Sequence, residues 1–196
     1  MGRTSSGVRA AGGLDRDTNY TGNITEVESL INMKDADMYR AAKQAISNFS
    51  AKLGVPEREV KLADLSKGVM GVGRQGGVYL NKKYYNRSIS EFRKIMDRAY
   101  DTQHLTRTNK PVAHTITHEL AHASWTSDLE TPKARAAGVE IRRLYNSFKR
   151  NKPAGYGTYA YSNIDEFWAE ASTRAAHGTA DSITRRIRAI YRKYNL

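Results

Sequence analysis

Thr115-Ile116-Thr117-His118-Glu119-Leu120-Ala121-His122 is the stretch from which the rest of this chain is best read. Pro111 lies four residues upstream and suits the first turn of a helix, where its missing N–H is not needed. The apolar spacing then predicts a helix from Pro111 through Trp125. On such a helix His118 and His122 are about 40° apart and ~6 Å along the axis, on one face. Two imidazoles so placed converge on one ion, and Glu119 stands beside the first of them. Bound zinc would bring the pKa of its water towards ~7, and a neighbouring carboxylate would take the proton. His118 and His122 are therefore candidate metal ligands and Glu119 a candidate general base.

A zinc held by protein needs a third ligand, and two candidates stand downstream. Asp128 follows His122 by six residues, a position used when the chain turns tightly after the helix. That turn wants glycine three residues after the second histidine, and Trp125 is there instead. The other candidate lies in Tyr159-Ala160-Tyr161-Ser162-Asn163-Ile164-Asp165-Glu166-Phe167-Trp168-Ala169-Glu170. Glu166 and Glu170 share one helix face at i and i+4, flanked by Phe167 and Trp168. Large apolar neighbours imply a helix packed on the core, where an unpaired carboxylate is unfavourable and a metal resolves it. Glu170 would then accept a ring N–H from a ligating histidine and fix its tautomer. The alternative is that both glutamates face water.

Outward from these two segments, the chain reads as α+β: a small N-terminal sheet followed by a helical half. Residues 1–25, rich in Gly, Ser, Thr and Asn, read as a flexible arm, and 26–196 as one domain. Helical spacing runs from about Thr25 to Leu53 and stops at Gly54 and Pro56. Val60–Leu65 alternates as a short strand. Gly77–Asn81 is the strongest strand, in a hairpin with Val69–Val72. Further helices are expected from Ser90 to Tyr100, from Pro132 to Phe148, from Asn163 or Asp165 to before Gly178, and from Asp181 or Ser182 to Tyr194. Gly71-Val72-Gly73-Arg74-Gln75-Gly76 matches a dinucleotide-binding pattern, but a strand follows it, so no helix N-terminus meets a phosphate. His114, one turn before His118, reads as a residue behind the ligands or on the surface, because a catalytic zinc keeps one position open. His104 and His177 read as structural.

Composition bounds the rest. With no cysteine in 196 residues, disulfides, a thiol nucleophile and thiolate-ligated metals are excluded. The mean hydropathy of −0.67 leaves no stretch apolar enough to span a membrane. The first residues lack the apolar core of a secretion signal, and a place inside a cell or in a virion is the expectation. The 32 Lys and Arg against 20 Asp and Glu give a net charge of +12. Much of it crowds the last helix (Arg185, Arg186, Arg188, Arg192, Lys193), with Arg142, Arg143, Lys149 and Arg150 adding to it. This is a solvated amphipathic surface or a face for nucleic acid or another polyanion.

The two segments together resemble the gluzincin-type zinc metallopeptidases. The likeness is to the catalytic domains of anthrax lethal factor and the Pro-Pro endopeptidases, and to zincin-like domains attached to phage head-morphogenesis proteins. The last carry a Tyr-Ala-x-x-Asn-x-x-Glu-Phe-Phe-Ala-Glu pattern, and Tyr159, Ala160, Asn163, Glu166, Phe167, Ala169 and Glu170 match it, with Trp168 for the second Phe. The resemblance covers about residues 75–177 and implies a zincin-like fold holding one Zn2+ per chain. It implies His118, His122 and Glu166 as ligands, Glu119 as general base, Glu170 behind the ligands and Tyr159 steadying the oxyanion. It further implies a polypeptide substrate, paired along a sheet edge for which Gly77–Asn81 is the candidate. The expected function is hydrolysis of peptide bonds. The rival is a non-catalytic basic structural or nucleic-acid-associated protein, of a virion for instance, that keeps the fold.

Overall fold

The computed structural model describes residues 20–75, 77–101 and 106–196. Its strands are β1 (Thr25–Ser29), β2 (Val60–Asp64), β3 (Gly71–Arg74) and β4 (Gly77–Asn81). Its helices are α1 (Ala36–Leu53), α2 (Lys82–Tyr85), α3 (Ile89–Asp101), α4 (Pro111–Ser124), α5 (Pro132–Asn151), α6 (Ile164–Ala176) and α7 (Ser182–Tyr194). Two 3-10 turns, Leu30–Asn32 and Thr158–Tyr161, complete the order. The fold is mixed α+β, a small four-stranded sheet and a helical majority.

Thr25 to Leu53 is not one helix. Thr25–Ser29 is a strand, and the helix begins only where Asp35 caps it, its side chain accepting from Met38 N–H at 2.8 Å. The apolar period starts at Met38, so the capping carboxylate, not the composition, sets the boundary. Gly54, at φ +72°, ends α1 in the left-handed conformation that glycine adopts without strain. The other caps follow the same chemistry: Thr131 on α5, Asn163 on α6, and Asp181 with Thr184 in a capping box on α7. The described chain starts at Tyr20, inside the stretch expected as an arm. Its ring is buried against Val69 and Val72, and its hydroxyl donates to Asn23 C=O at 2.9 Å.

The sheet order is β1-β2-β4-β3, with β2 and β4 parallel and the two outer pairs antiparallel. Gly77–Asn81 is therefore an inner strand, hydrogen-bonded on both sides. The expectation that it offers a free edge to a substrate is corrected: β1 and β3 are the edge strands, and β3 is the one beside the candidate site. Alternation along β3 divides its faces. Val72 joins the Tyr20 cluster, while Gly71 and Gly73 turn towards α4. A Cβ on Gly73 would stand 1.9 Å from the Glu119 carbonyl oxygen, so only glycine lets strand and helix approach this closely.

α4 is the centre of the molecule. It packs on β3, α1, α3 and α6, and every residue in it except Ala113 is buried. A helix apolar on one side only would leave a wet face; this one has none. α6 crosses it antiparallel. Thr117 meets Thr173 at 3.3 Å, the Trp168 indole N–H donates to Ala121 C=O at 3.1 Å, and the Tyr191 hydroxyl bridges Ser124 and Ser172. The Trp168 and Tyr191 rings stack at 4.7 Å and lock α7 behind the pair. Among the described residues no helix is long and apolar enough to cross a membrane.

Candidate metal centre

α4 supplies His118 and His122 one turn apart, and α6 supplies Glu166 and Glu170 one turn apart, on facing sides. Asn163 fixes where α6 begins: its side chain accepts from Glu166 N–H at 2.9 Å, which sets Glu166 in the first turn. The physical reason for an Asn three residues before that Glu is thus a helix cap. Asp165 ties the start of α6 to the loop after α4, accepting from Ser127 N–H at 2.6 Å and Ser127 Oγ at 2.8 Å.

Three buried ligand atoms converge. His118 Nε2 is 3.0 Å from His122 Nε2 and 3.0 Å from Glu166 Oε2, and His122 Nε2 is 3.6 Å from Glu166 Oε2. Three ligands each ~2.0–2.1 Å from one tetrahedral zinc would lie about 3.3–3.4 Å apart. The observed triangle straddles that spacing. Behind it, His118 Nδ1 is 3.0 Å from Glu170 Oε1, and His114 Nε2 is 3.1 Å from the same oxygen. A neutral His118 that donates Nδ1–H to Glu170 has only a lone pair at Nε2. That lone pair faces the Glu166 carboxylate, a second acceptor. Two acceptors at 3.0 Å are repulsive unless a cation joins them. Glu166 Oε2 and His122 Nδ1 have no hydrogen-bond partner among the described residues although both are buried. The residues therefore fit a metal: His118, His122 and Glu166 form one buried group able to hold an ion, and His114, His118 and Glu170 a second group sharing His118.

With protons in place of an ion, the same carboxylates and imidazoles pair as opposite charges. Burial pushes the Glu166 carboxyl up, yet the facing His122 and His118 more than offset this and hold it at about 2. Glu170, fully enclosed, is likewise held well below the usual carboxylate range by His114 and His118 against the effect of burial. With Glu119, three carboxylates sit beside three imidazoles in the interior, an arrangement stable only when the charges are paired. His177 stands at the rim, its ring 6.3 Å from that of His114. Burial, then the charges of His114 and Lys110, lowers its pKa to about 4.

Glu119 points from α4 to the sheet edge. Its Oε2 accepts from Gly73 N–H at 3.0 Å, and its Oε1 is buried without a partner among the described residues. The residue is 3% exposed. Tyr159 is half-buried in the 3-10 turn before α6, its ring nearly parallel to that of His118 at 6.1 Å.

Of the seven residues singled out in the sequence, six lie where β3, α4, the turn before α6 and α6 face one another: His118, His122, Glu119, Glu166, Glu170 and Tyr159. Asp128 does not. It is exposed and accepts from Thr126 Oγ1, because Trp125 leaves α4 extended and buries its ring against Trp168. His104 lies outside the described residues. Sequence reasoning left His114 between two roles, and the structure buries it on Glu170. Its spacing from His118, identical to that from His118 to His122, was the available signal. The role of Gly71 and Gly73 in the close approach of β3 to α4 had no such signal beyond the glycines themselves. No family model, curated protein or solved structure matches this chain.

Proposed function

We propose that the protein is a zinc-dependent peptidase whose ion is held by His118, His122 and Glu166. The observation that carries the reading is the buried triangle of acceptors at 3.0, 3.0 and 3.6 Å, with the Glu119 carboxylate on the neighbouring sheet edge. Two imidazoles and one carboxylate suit zinc and leave one position for a reactant. Bound zinc would supply an acidified water and a polarised carbonyl.

The residues of the chain supply the rest. Glu119 takes the proton as the water oxygen attacks the carbonyl carbon. The same carboxyl then hands a proton to the departing nitrogen as the C–N bond breaks, giving a carboxylate and an amine. The Gly73 N–H holds one Glu119 oxygen and leaves the other to work. Glu170 holds the His118 ring in the tautomer that presents Nε2, and His114 holds Glu170. Tyr159, whose ring lies nearly parallel to that of His118, is the candidate donor to the developing oxyanion. β3 is the sheet edge beside this site, and an extended polypeptide would add to the part of that edge not taken by the bond from Gly73 N–H to Glu119. That edge favours a peptide over other hydrolysable substrates.

Elemental analysis of the purified protein, wild type and Glu166→Ala, tests the ligand set. About one zinc per chain, lost in the variant, is expected. Glu119→Gln should keep the zinc and abolish cleavage of a peptide library. No zinc after loading, or full activity in Glu119→Gln, would remove the reading.

A further inference from the structure

The net charge of this protein is not spread over its surface. Eleven of the 32 Lys and Arg and one of the 20 acidic residues lie on α5 and α7, so these two helices carry ten of the twelve net positive charges. The two helices pack side by side, and neither contributes a residue to the metal centre. Their apolar sides face inward: Ala137, Ile141, Leu144 and Phe148 on α5, and Ile183, Ile187, Ile190 and Tyr191 on α7. Ten of the eleven basic side chains are thereby exposed; Arg188 alone turns to the end of α6, donating to Ala175 C=O and Thr179 C=O.

Their spacing is regular. Arg135, Arg142 and Lys149 recur every seven residues, and Arg143 and Arg150 form the adjacent stripe. On a helix this period keeps a stripe on one face with ~10 Å between its members. Arg185 and Arg192, and Arg186 and Lys193, repeat the period on α7. Two surface depressions adjoin this face, one between α5 and the segment that follows α4, the other between α5 and α7. One, about 350 Å³, is lined by Arg135, Arg142 and Arg143. The other, about 270 Å³, is lined by Arg143 and Arg186. Arg143 belongs to both, so the patch is continuous. Lys193 pairs with Glu140; Arg135, Arg142, Arg185 and Arg186 have no ion pair among the described residues. Positive charge concentrated in this way repels itself and opposes the compact state, and a bound polyanion relieves that repulsion.

We propose that the α5–α7 face binds nucleic acid through its phosphodiester backbone, without reading bases. The length fits: α5 spans ~30 Å, and duplex DNA carries one charge per ~1.7 Å of axis. A lipid surface fits less well. Membrane-surface helices insert an apolar face, whereas the apolar face of α7 is already buried. Val139 is the single exposed large apolar side chain on either helix. Sequence-independent binding follows from the geometry, since the guanidinium groups lie along two packed helix flanks rather than on one projecting helix that enters a groove.

The test is fluorescence anisotropy of the full chain with labelled 20-base-pair DNA and RNA duplexes, and flotation with phosphatidylserine vesicles. With about five phosphate contacts, affinity should fall ~10²–10³-fold between 50 and 200 mM salt. Arg143→Glu/Arg186→Glu should weaken duplex binding at least tenfold and flatten the salt dependence by about two contacts. Lys43→Glu/Lys94→Glu, with the same change in net charge on exposed positions of α1 and α3, should change it less than threefold. Comparison of DNA with RNA identifies the duplex preferred. Equal weakening by both double variants, no duplex binding at 50 mM salt, or vesicle binding tighter than duplex binding would overturn the proposal. Zinc content and peptide cleavage should be unchanged by Arg143→Glu/Arg186→Glu, so this result stands or falls apart from the peptidase reading.

Discussion

The α4–α6 pair and the α5–α7 pair are built on opposite principles. α4 and α6 bury titratable side chains: Glu119, Glu166, Glu170, His114, His118 and His122 all lie inside. α5 and α7 keep nearly every charge in water, and no charged side chain is among the residues they bury. Trp168 and Tyr191 join the two pairs, since Tyr191 of α7 stacks on Trp168 of α6. A buried polar group must have its partner in the right place or it opposes folding. An exposed cation needs no partner. Substitutions should therefore have large, specific effects in the first pair and small, salt-sensitive ones in the second.

On the proposed peptidase reading, the largest contrast is catalytic. Glu119→Gln should lower peptide turnover by roughly 10²–10⁴, with zinc content and thermal stability near wild type. Arg142→Ala should leave the rate unchanged; steady-state kinetics on the same peptide compares them. Next comes packing. Trp168→Ala removes the indole that donates to Ala121 C=O and carries Tyr191, and should destabilise by about 3–5 kcal/mol. Arg186→Ala should stay within about 0.5 kcal/mol, both read by urea denaturation. A similar loss in both would erase the contrast drawn here.

Smaller effects sharpen the comparison within the buried pair. Glu170→Gln and His114→Phe act on His118 from behind and should weaken zinc affinity by roughly 10–100-fold, measured by competition with a chromophoric chelator. Full-strength binding of zinc by either variant would show that Glu170 and His114 do not act on the metal through His118. A pH effect should also arise at His177. Its folded pKa, about 4, lies below the unfolded value of about 6.5, so the unfolded chain binds the proton more readily. Stability should fall as pH drops through that window, by roughly 2 kcal/mol for this partly exposed ring. His177→Gln should flatten this part of the stability profile.

Much of this was legible in the sequence because it is local. The spacing of His118 and His122, the i,i+4 pair Glu166 and Glu170, Pro111 and Pro132 at helix starts, and Asn163 and Asp181 as caps each depend on residues within one or two turns. The error at Thr25–Ser29 has the converse cause. A five-residue strand at a sheet edge is stabilised by its partner β2, which lies some thirty residues away in sequence. The free edge was misplaced for the same reason. Nothing within Gly77–Asn81 states that both of its sides are taken.

By itself, then, the sequence determined the residue types of the candidate centre, the helices that carry them and the sign of the charge. Backbone geometry repeats every 3.6 residues, and capping is a contact over three. Only the tertiary structure decided that α6 crosses α4 antiparallel with Glu166, not Asp128, against the histidines. It alone turned Gly71 and Gly73 to α4, seated His114 on Glu170, and set the cations of α5 beside those of α7. These facts depend on which apolar faces bury one another, a choice made by packing over the whole chain and not written in any short window of it.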